Sequence, residues 1–246
     1  VTVAPFGTVD GIFVKICGIT TEADALLAVG MGASAVGFIF APSPRQMAPG
    51  AVADIVKRLP HETLTVGVFR DESPQRVLDI ANHIGLSAVQ LHGVESAGDT
   101  RWIAERVGFT IKAFPAGHTN IARFTDYGAQ RLLIDGASPG SGELFDWRLA
   151  EGVVDPRRLI VSGGLRPENV GAAIAHLNPW GVDVASGVEA SPGVKDPGKL
   201  SEFIRAARSA ARAVEESTKT SLGINPASVD GQSLSTAPDL FDWQDE

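Results

Sequence analysis

Eight short apolar runs rich in β-branched residues recur along the chain, beginning at Ile12, Ala35, Leu64, Ser87, Phe109, Arg131, Arg158 and Gly181. Successive starts lie 22 to 29 residues apart, which is room for one strand, two short loops and one helix. Runs such as Val36-Gly37-Phe38-Ile39-Phe40, Leu64-Thr65-Val66-Gly67-Val68-Phe69 and Leu132-Leu133-Ile134 are apolar on both faces, as parallel strands covered by helices are. The segments between them carry helix-start chemistry. Ser73-Pro74 and Asp196-Pro197 each set a capping oxygen before a proline suited to the first turn, Pro167 opens a further segment, and Thr21 stands three residues before Asp24. Gly30 and Gly32 mark the expected stop of the first helix. A doubly wound open sheet shares this beat, but no G-x-G-x-x-G follows the first run. The pattern therefore predicts an α/β fold, a single closed (β/α)8 barrel over residues 12–216, and a chain of 246 residues is long enough for one.

Residues 1–11 read as a leader and 217–246, with its Ser, Thr, Pro, Asn and Gly, as a flexible tail. The tail holds a copy, Leu240-Phe241-Asp242-Trp243, of Leu144-Phe145-Asp146-Trp147. A net charge of −8 argues against nucleic acid or an anionic membrane as partner. It leaves room for a phosphorylated small molecule, which needs only local amides and dipoles. A single cysteine rules out an internal disulfide and suits a reducing cytoplasm. No apolar run approaches the roughly 18 residues of a membrane span, and Val1–Gly7 lacks the character of a signal peptide. The expected state is a monomer or a homodimer.

Barrel enzymes carry their active groups at the C-terminal ends of the strands, and the residues of chemical interest fall there. Cys17 ends the first run and precedes Gly18; a thiol at its ordinary pKa needs a nearby cation to serve as a base. Lys15, two residues back on the same face, either supports that thiolate or pairs with Asp183 on the eighth run, and the pairing is the favoured reading. Asp135 ends the sixth run, where a carboxylate is costly unless exposed, paired or functional; a loop-capping aspartate is the plain alternative. Arg45, in Pro42-Ser43-Pro44-Arg45, is either a bidentate carboxylate clamp or a surface arginine. His92 follows the fourth run. The turns Ser162-Gly163-Gly164 and Ser186-Gly187 follow the seventh and eighth runs, the usual place of a phosphate site in such barrels; glycines that only serve tight βα turns are the plain alternative.

These residues together resemble the phosphoribosylanthranilate isomerases, a TIM-barrel family. The likeness is carried by Val14-Lys15-Ile16-Cys17-Gly18-Ile19-Thr20, Gly37-Phe38-Ile39-Phe40 with Ser43-Pro44-Arg45, Val66-Gly67-Val68-Phe69, and Val89-Gln90-Leu91-His92-Gly93. It continues at Asp135, Gly140-Ser141-Gly142, Phe145-Asp146-Trp147, Ser162-Gly163-Gly164-Leu165 and Ser186-Gly187-Val188-Glu189, covering roughly residues 12–212. The resemblance implies an Amadori rearrangement of N-(5-phosphoribosyl)anthranilate in tryptophan biosynthesis, without cofactor or metal. It implies Cys17 as general base, Asp135 as general acid, Arg45 and His92 at the substrate, and Gly163, Gly164, Ser186 and Gly187 around the phosphate. The chain departs from the family in Ala185, where a second serine is common, and in Pro139-Gly140, where a glycine pair is common. Rival expectations are the histidine-pathway sugar isomerase, which has an aspartate at the Cys17 position, indole-glycerol-phosphate synthase, and a catalytically silent phospho-ligand-binding barrel.

Overall fold

The computed structural model describes residues 8, 10–136 and 155–221. Eight strands form a closed parallel barrel: β1 (Phe13–Ile16), β2 (Ala35–Ile39), β3 (Leu64–Phe69), β4 (Ala88–Leu91), β5 (Thr110–Pro115), β6 (Arg131–Asp135), β7 (Leu159–Val161) and β8 (Gly181–Val184). β8 returns to β1 with Lys15 opposite Asp183. Ala35, Leu64, Arg131 and Gly181 open their strands as expected, and the other four strands begin one residue later than predicted.

Between the strands run α1 (Glu22–Gly30), α2 (Pro49–Val56), α3 (Pro74–Ile84), α4 (Ala97–Ala104), α5 (Val170–Leu177) and α6 (Pro197–Ser221), with a 3-10 helix at Thr119–Tyr127 after β5. Thr21 caps α1 by accepting from the Asp24 amide at 3.1 Å, and Met31 and Gly32 (φ +93) follow its last turn. Pro74 opens α3 and Pro197 opens α6, where Asp196 accepts from the Lys199 amide. Two boundaries differ from expectation. The helix after β7 begins at Val170, not at Pro167. Asn169 holds the preceding turn instead, accepting from the Arg166 amide and donating to the Gly164 carbonyl. α6 runs five residues past Glu216, because Thr218, Thr220 and Ser221 turn their hydroxyls onto carbonyls four residues back and Lys219 pairs with Glu215 at 2.7 Å. Hydroxyl residues that read as a tail by composition are satisfied inside a helix. The motifs Gly140-Ser141-Gly142, Phe145-Asp146-Trp147 and Leu240-Phe241-Asp242-Trp243 lie outside the described residues. Among the described residues no helix is long and apolar enough to cross a membrane.

Strand side chains alternate between two environments, as a period of two requires. Val14, Ile16, Val36, Phe38, Val89, Leu91, Leu132 and Ile134 pack outward against the helices. Phe13, Ala35, Val66, Ala88, Ile111, Leu133 and Ile160 fill the barrel. At its lower end Trp180 stacks on Phe13 with centroids 4.4 Å apart, and the Arg131 guanidinium covers the indole at 4.1 Å. One layer higher, two residues along β1, β4, β6 and β8, the interior turns polar: Lys15 above Phe13, Gln90 above Ala88, Asp135 above Leu133, Asp183 above Gly181. Lys15 Nζ donates to Asp183 Oδ1 at 2.8 Å, with side-chain exposures of 0% and 6%.

That pair makes a stability prediction. Lys15→Met leaves Asp183 buried without its counter-charge and should cost about 3–5 kcal/mol. The double variant Lys15→Met/Asp183→Leu should recover most of the loss. Urea unfolding of the three proteins checks this, and a double variant no better than the single would show that the pair does more than satisfy its own charges.

Candidate active site

The polar layer forms the floor of a cavity of about 360 Å³ at the C-terminal ends of the strands. Cys17, Arg45, His92, Asp135, Gly163, Gly164, Ser186 and Gly187 all line it. These eight residues, each expected at the site from the sequence, thus meet in one place.

Cys17 follows β1, and its amide donates to the Val184 carbonyl of β8 at 2.8 Å. Burial pushes the thiol above its ordinary range; the charge of Lys15 pulls it down, Asp183 adds to the rise, and a Lys15 hydrogen bond and the Lys195 charge pull it down again, leaving it raised. Lys15 therefore fills both roles considered for it, paired to Asp183 and next to the thiol. Burial lowers Lys15 while Asp183 and Cys17 together more than restore it, so the ammonium is held above the ordinary lysine range.

Lys195 is a second cation on this side, and sequence reading passed it over. It stands on β10 (Val194–Lys195), which pairs antiparallel with β9 (Glu189–Ser191). Its ammonium donates to the Cys17 carbonyl (2.7 Å), the Ala185 carbonyl (3.2 Å) and Glu189 Oε1 (2.9 Å). The Pro192-Gly193 turn between Glu189 and Lys195 was the available signal for a hairpin here. Glu189 also receives Arg45, Nε at 2.7 Å and Nη2 at 2.6 Å. Burial raises the Glu189 carboxyl, but the Arg45 hydrogen bond and the Lys195 charge outweigh it and hold the group below the ordinary range. Arg45 is thus a carboxylate clamp, as one reading had it, but its fork grips the protein's own Glu189. Only Nη1 is left without a partner among the described residues.

Asp135 sits across the cavity at the end of β6, 6% exposed. Its Oδ1 accepts from the Gly136 amide at 2.9 Å, and its Oδ2 lies 3.3 Å from His92 Nε2. His92 Nδ1 in turn lies 2.9 Å from Gln90 Nε2. His92 is therefore the neighbour of the carboxyl group, a relation the sequence did not suggest. The turn after β7 packs against the end of β6: a Cβ on Gly163 (φ +87) would lie 2.2 Å from the Gly136 nitrogen and 2.8 Å from Asp135 Oδ1. A Cβ on Gly187 would come within 1.8 Å of the Leu165 carbonyl oxygen. Only glycine lets the two turns lie this close to each other and to Asp135.

A thiol flanked by cations on one wall and a carboxyl group on the other can move protons at two points of one ligand. This is the arrangement of a (β/α)8-barrel enzyme working by acid–base chemistry. Residues 14–206 match the family model for N-(5'-phosphoribosyl)anthranilate (PRA) isomerase. The chain is 49% identical over 204 residues to N-(5'-phosphoribosyl)anthranilate isomerase of Desulforudis audaxviator, covering 80% of this chain and 98% of the relative. Among solved structures it is similar to phosphoribosyl anthranilate isomerase from Thermus thermophilus (TM-score 0.75, 42% identity, 80% of this chain and 99% of that one). It is also similar to a phosphoribosyl anthranilate isomerase in complex with reduced 1-(o-carboxyphenylamino)-1-deoxyribulose 5-phosphate (TM-score 0.72, 41% identity, 80% and 99%). The chain belongs to the phosphoribosylanthranilate isomerase family.

The raised thiol has a direct readout, because Cys17 is the only cysteine. Thiolate is the species that iodoacetamide attacks. Alkylation of the folded protein should therefore rise with pH through a midpoint above that of the urea-unfolded chain. Midpoints that coincide would mean the two lysines fully offset burial.

Proposed function

We propose that this chain catalyses the Amadori rearrangement of N-(5'-phosphoribosyl)anthranilate to 1-(o-carboxyphenylamino)-1-deoxyribulose 5-phosphate, a step of tryptophan biosynthesis, in the cytoplasm. The observation that carries the reading is Cys17 facing Asp135 across one cavity, with the turns after β7 and β8 side by side at its rim. Asp135 gives a proton to the ribose ring oxygen. The C1–O bond breaks as the nitrogen lone pair forms the C1=N bond, leaving an iminium. Cys17 takes the C2 proton, and the C2–H electrons form the C1=C2 bond of an enolamine while the iminium nitrogen is neutralised. Loss of the enol hydroxyl proton and protonation of C1 then give the ketone, an isomer of the starting sugar.

The electrostatics suit this order. The resting thiol is held protonated by burial, and the iminium adds a cation beside Lys15 and Lys195 when a thiolate is needed. The phosphate lies against Gly163, Gly164, Ser186 and Gly187, whose backbone amides serve it despite the acidic balance of the whole chain. The substrate's carboxylate meets Arg45 through Nη1. Glu189 and Lys195 hold that guanidinium in place beforehand, which lowers the ordering cost of binding.

Loss of the fluorescent anthranilate adduct measures turnover. Cys17→Ala should fold and lose about 10²–10⁴ in kcat, the range of a positioned general base. Asp135→Asn should lose turnover while keeping affinity for a reduced product analogue. Turnover near the parent's in either variant would remove that residue from the mechanism. Inorganic phosphate should compete with substrate, and Ser186→Asp, which sets a like charge in the turn, should weaken that inhibition; an unchanged inhibition constant would place the phosphate elsewhere.

A further inference from the structure

Gln90 is the interior residue of β4 one layer above Ala88, and it is 1% exposed. Its Nε2 faces His92 Nδ1 at 2.9 Å, while its Oε1 is buried with no hydrogen-bond partner among the described residues. A buried amide oxygen left idle is costly, and here it sits next to the pair that includes the acid.

The hydrogens give this arrangement a consequence. An amide NH2 turned toward Nδ1 requires a lone pair there. The imidazole then carries its proton on Nε2 and directs it at Asp135 Oδ2, 3.3 Å away. In that state the carboxylate lacks the proton that a general acid must supply. Once the pair takes up one more proton, that proton either sits on Asp135 and is accepted by His92 Nε2, or stays on His92 as an imidazolium. Either way Nδ1 bears hydrogen and confronts the amide NH2, donor against donor. A half-turn of the amide removes the conflict by bringing Oε1 onto Nδ1–H. The last torsion of a glutamine is broad and roughly twofold. Because the amide has a partner at its imidazole end only, neither orientation is locked.

We infer that Gln90 is a positioning residue for the acid: its amide turns over as the His92–Asp135 pair gains or loses its proton, and its buried Oε1 is the acceptor that accommodates the loaded state. The inference deepens the proposed function and rests on Asp135 being the acid. The other charged and titratable groups around the cavity have their own engagements. Lys112 pairs with Glu95 at 2.7 Å, Arg70 with Asp71 at 3.8 Å, and Arg45 with Glu189, while Lys15, Asp183 and Cys17 form their own cluster. His118, after β5, accepts through Nδ1 from the Asn120 amide. Among the described residues only Gln90 hydrogen-bonds to His92 Nδ1.

The test is a pH titration of the full chain, labelled at histidine, followed by NMR, with the His92 signal assigned from its loss in His92→Gln. Gln90→Leu removes the acceptor for Nδ1–H, and the His92 midpoint should fall by about one pH unit, a tenfold loss of proton affinity. Gln90→Glu supplies a permanent acceptor and should move the midpoint the other way. At neutral pH the leucine variant should lose about tenfold or more in kcat, the scale of a lost outer-shell partner, with KM little changed, and the glutamate variant should recover part of it. A residue that merely packs would lower activity and leave both midpoints where the parent has them; that result, or shifts of the same sign in both variants, overturns the inference. If Gln90→Leu does not fold by circular dichroism, Gln90→Met takes its place, and the glutamate arm stands alone. Asp135→Asn separates the two readings: full turnover in that variant removes the acid, whereas the midpoints report on Gln90 and His92 without substrate.

Discussion

The barrel closes where β8 meets β1, and at that seam the chain buries an ammonium and a carboxylate against each other. Lys15 and Asp183 are register partners on neighbouring parallel strands, joined at 2.8 Å where almost no water reaches. An apolar pair of similar volume could close such a seam at no loss of stability. The charged pair does something an apolar one cannot: it places a fixed cation against Cys17 and a fixed anion one strand further away. Lys195 reinforces the same seam from above, tying the carbonyls after β1 and β8 together through one ammonium. Loss of either lysine therefore disturbs both the closure and the electrostatics of the thiol, and the two effects share a cause.

The Asp135 and Cys17 sides of the cavity differ in environment. The Cys17 side is lined by full charges in two sets, Lys15 with Asp183, and Arg45 and Lys195 with Glu189. Among the described residues Asp135 itself has no such neighbours: it touches an imidazole and a backbone amide, and the imidazole touches a neutral amide. On the Cys17 side, burial first and then the charges of Lys15, Asp183 and Lys195 set how tightly the thiol holds its proton.

The strands were readable because period, length and spacing are local properties, and each of the eight was found to within one residue. Cys17, Asp135 and the two glycine turns were readable for a related reason: strand ends in a barrel converge on one mouth, so position along the strand implies position in space. Gln90, Glu189 and Lys195 gave no such signal. Gln90 lies inside a strand that reads as apolar, and only the alternation Ala88, Gln90, His92 hints that it points into the barrel. Glu189 and Lys195 meet through a hairpin, and Arg45 reaches them across 144 residues of sequence. Contacts of that kind depend on the closed barrel, not on any window of the chain. The glycines carry a further point: Gly163 reads from sequence as a phosphate residue, yet the atoms that crowd it are the Gly136 backbone and Asp135 Oδ1.

The interior of the barrel divides into layers with different obligations. The lower layer, from Phe13 to Ile160 and sealed by Trp180 and Arg131, is apolar and close-packed, and a change there is felt as a cavity or a clash. The layer above it is polar on β1, β4, β6 and β8 and not fully satisfied, with the Gln90 oxygen idle. An upper layer with every hydrogen bond made would be more stable, but it would have a single arrangement. Proton transfer needs at least two arrangements of similar energy at the same atoms, and an unfilled acceptor beside a protonatable pair provides them. The rigid lower layer makes this possible: with the backbone fixed from below, the polar groups above can change partners without the strands moving. In this barrel the division between stability and chemistry follows the two-residue step of the strand itself.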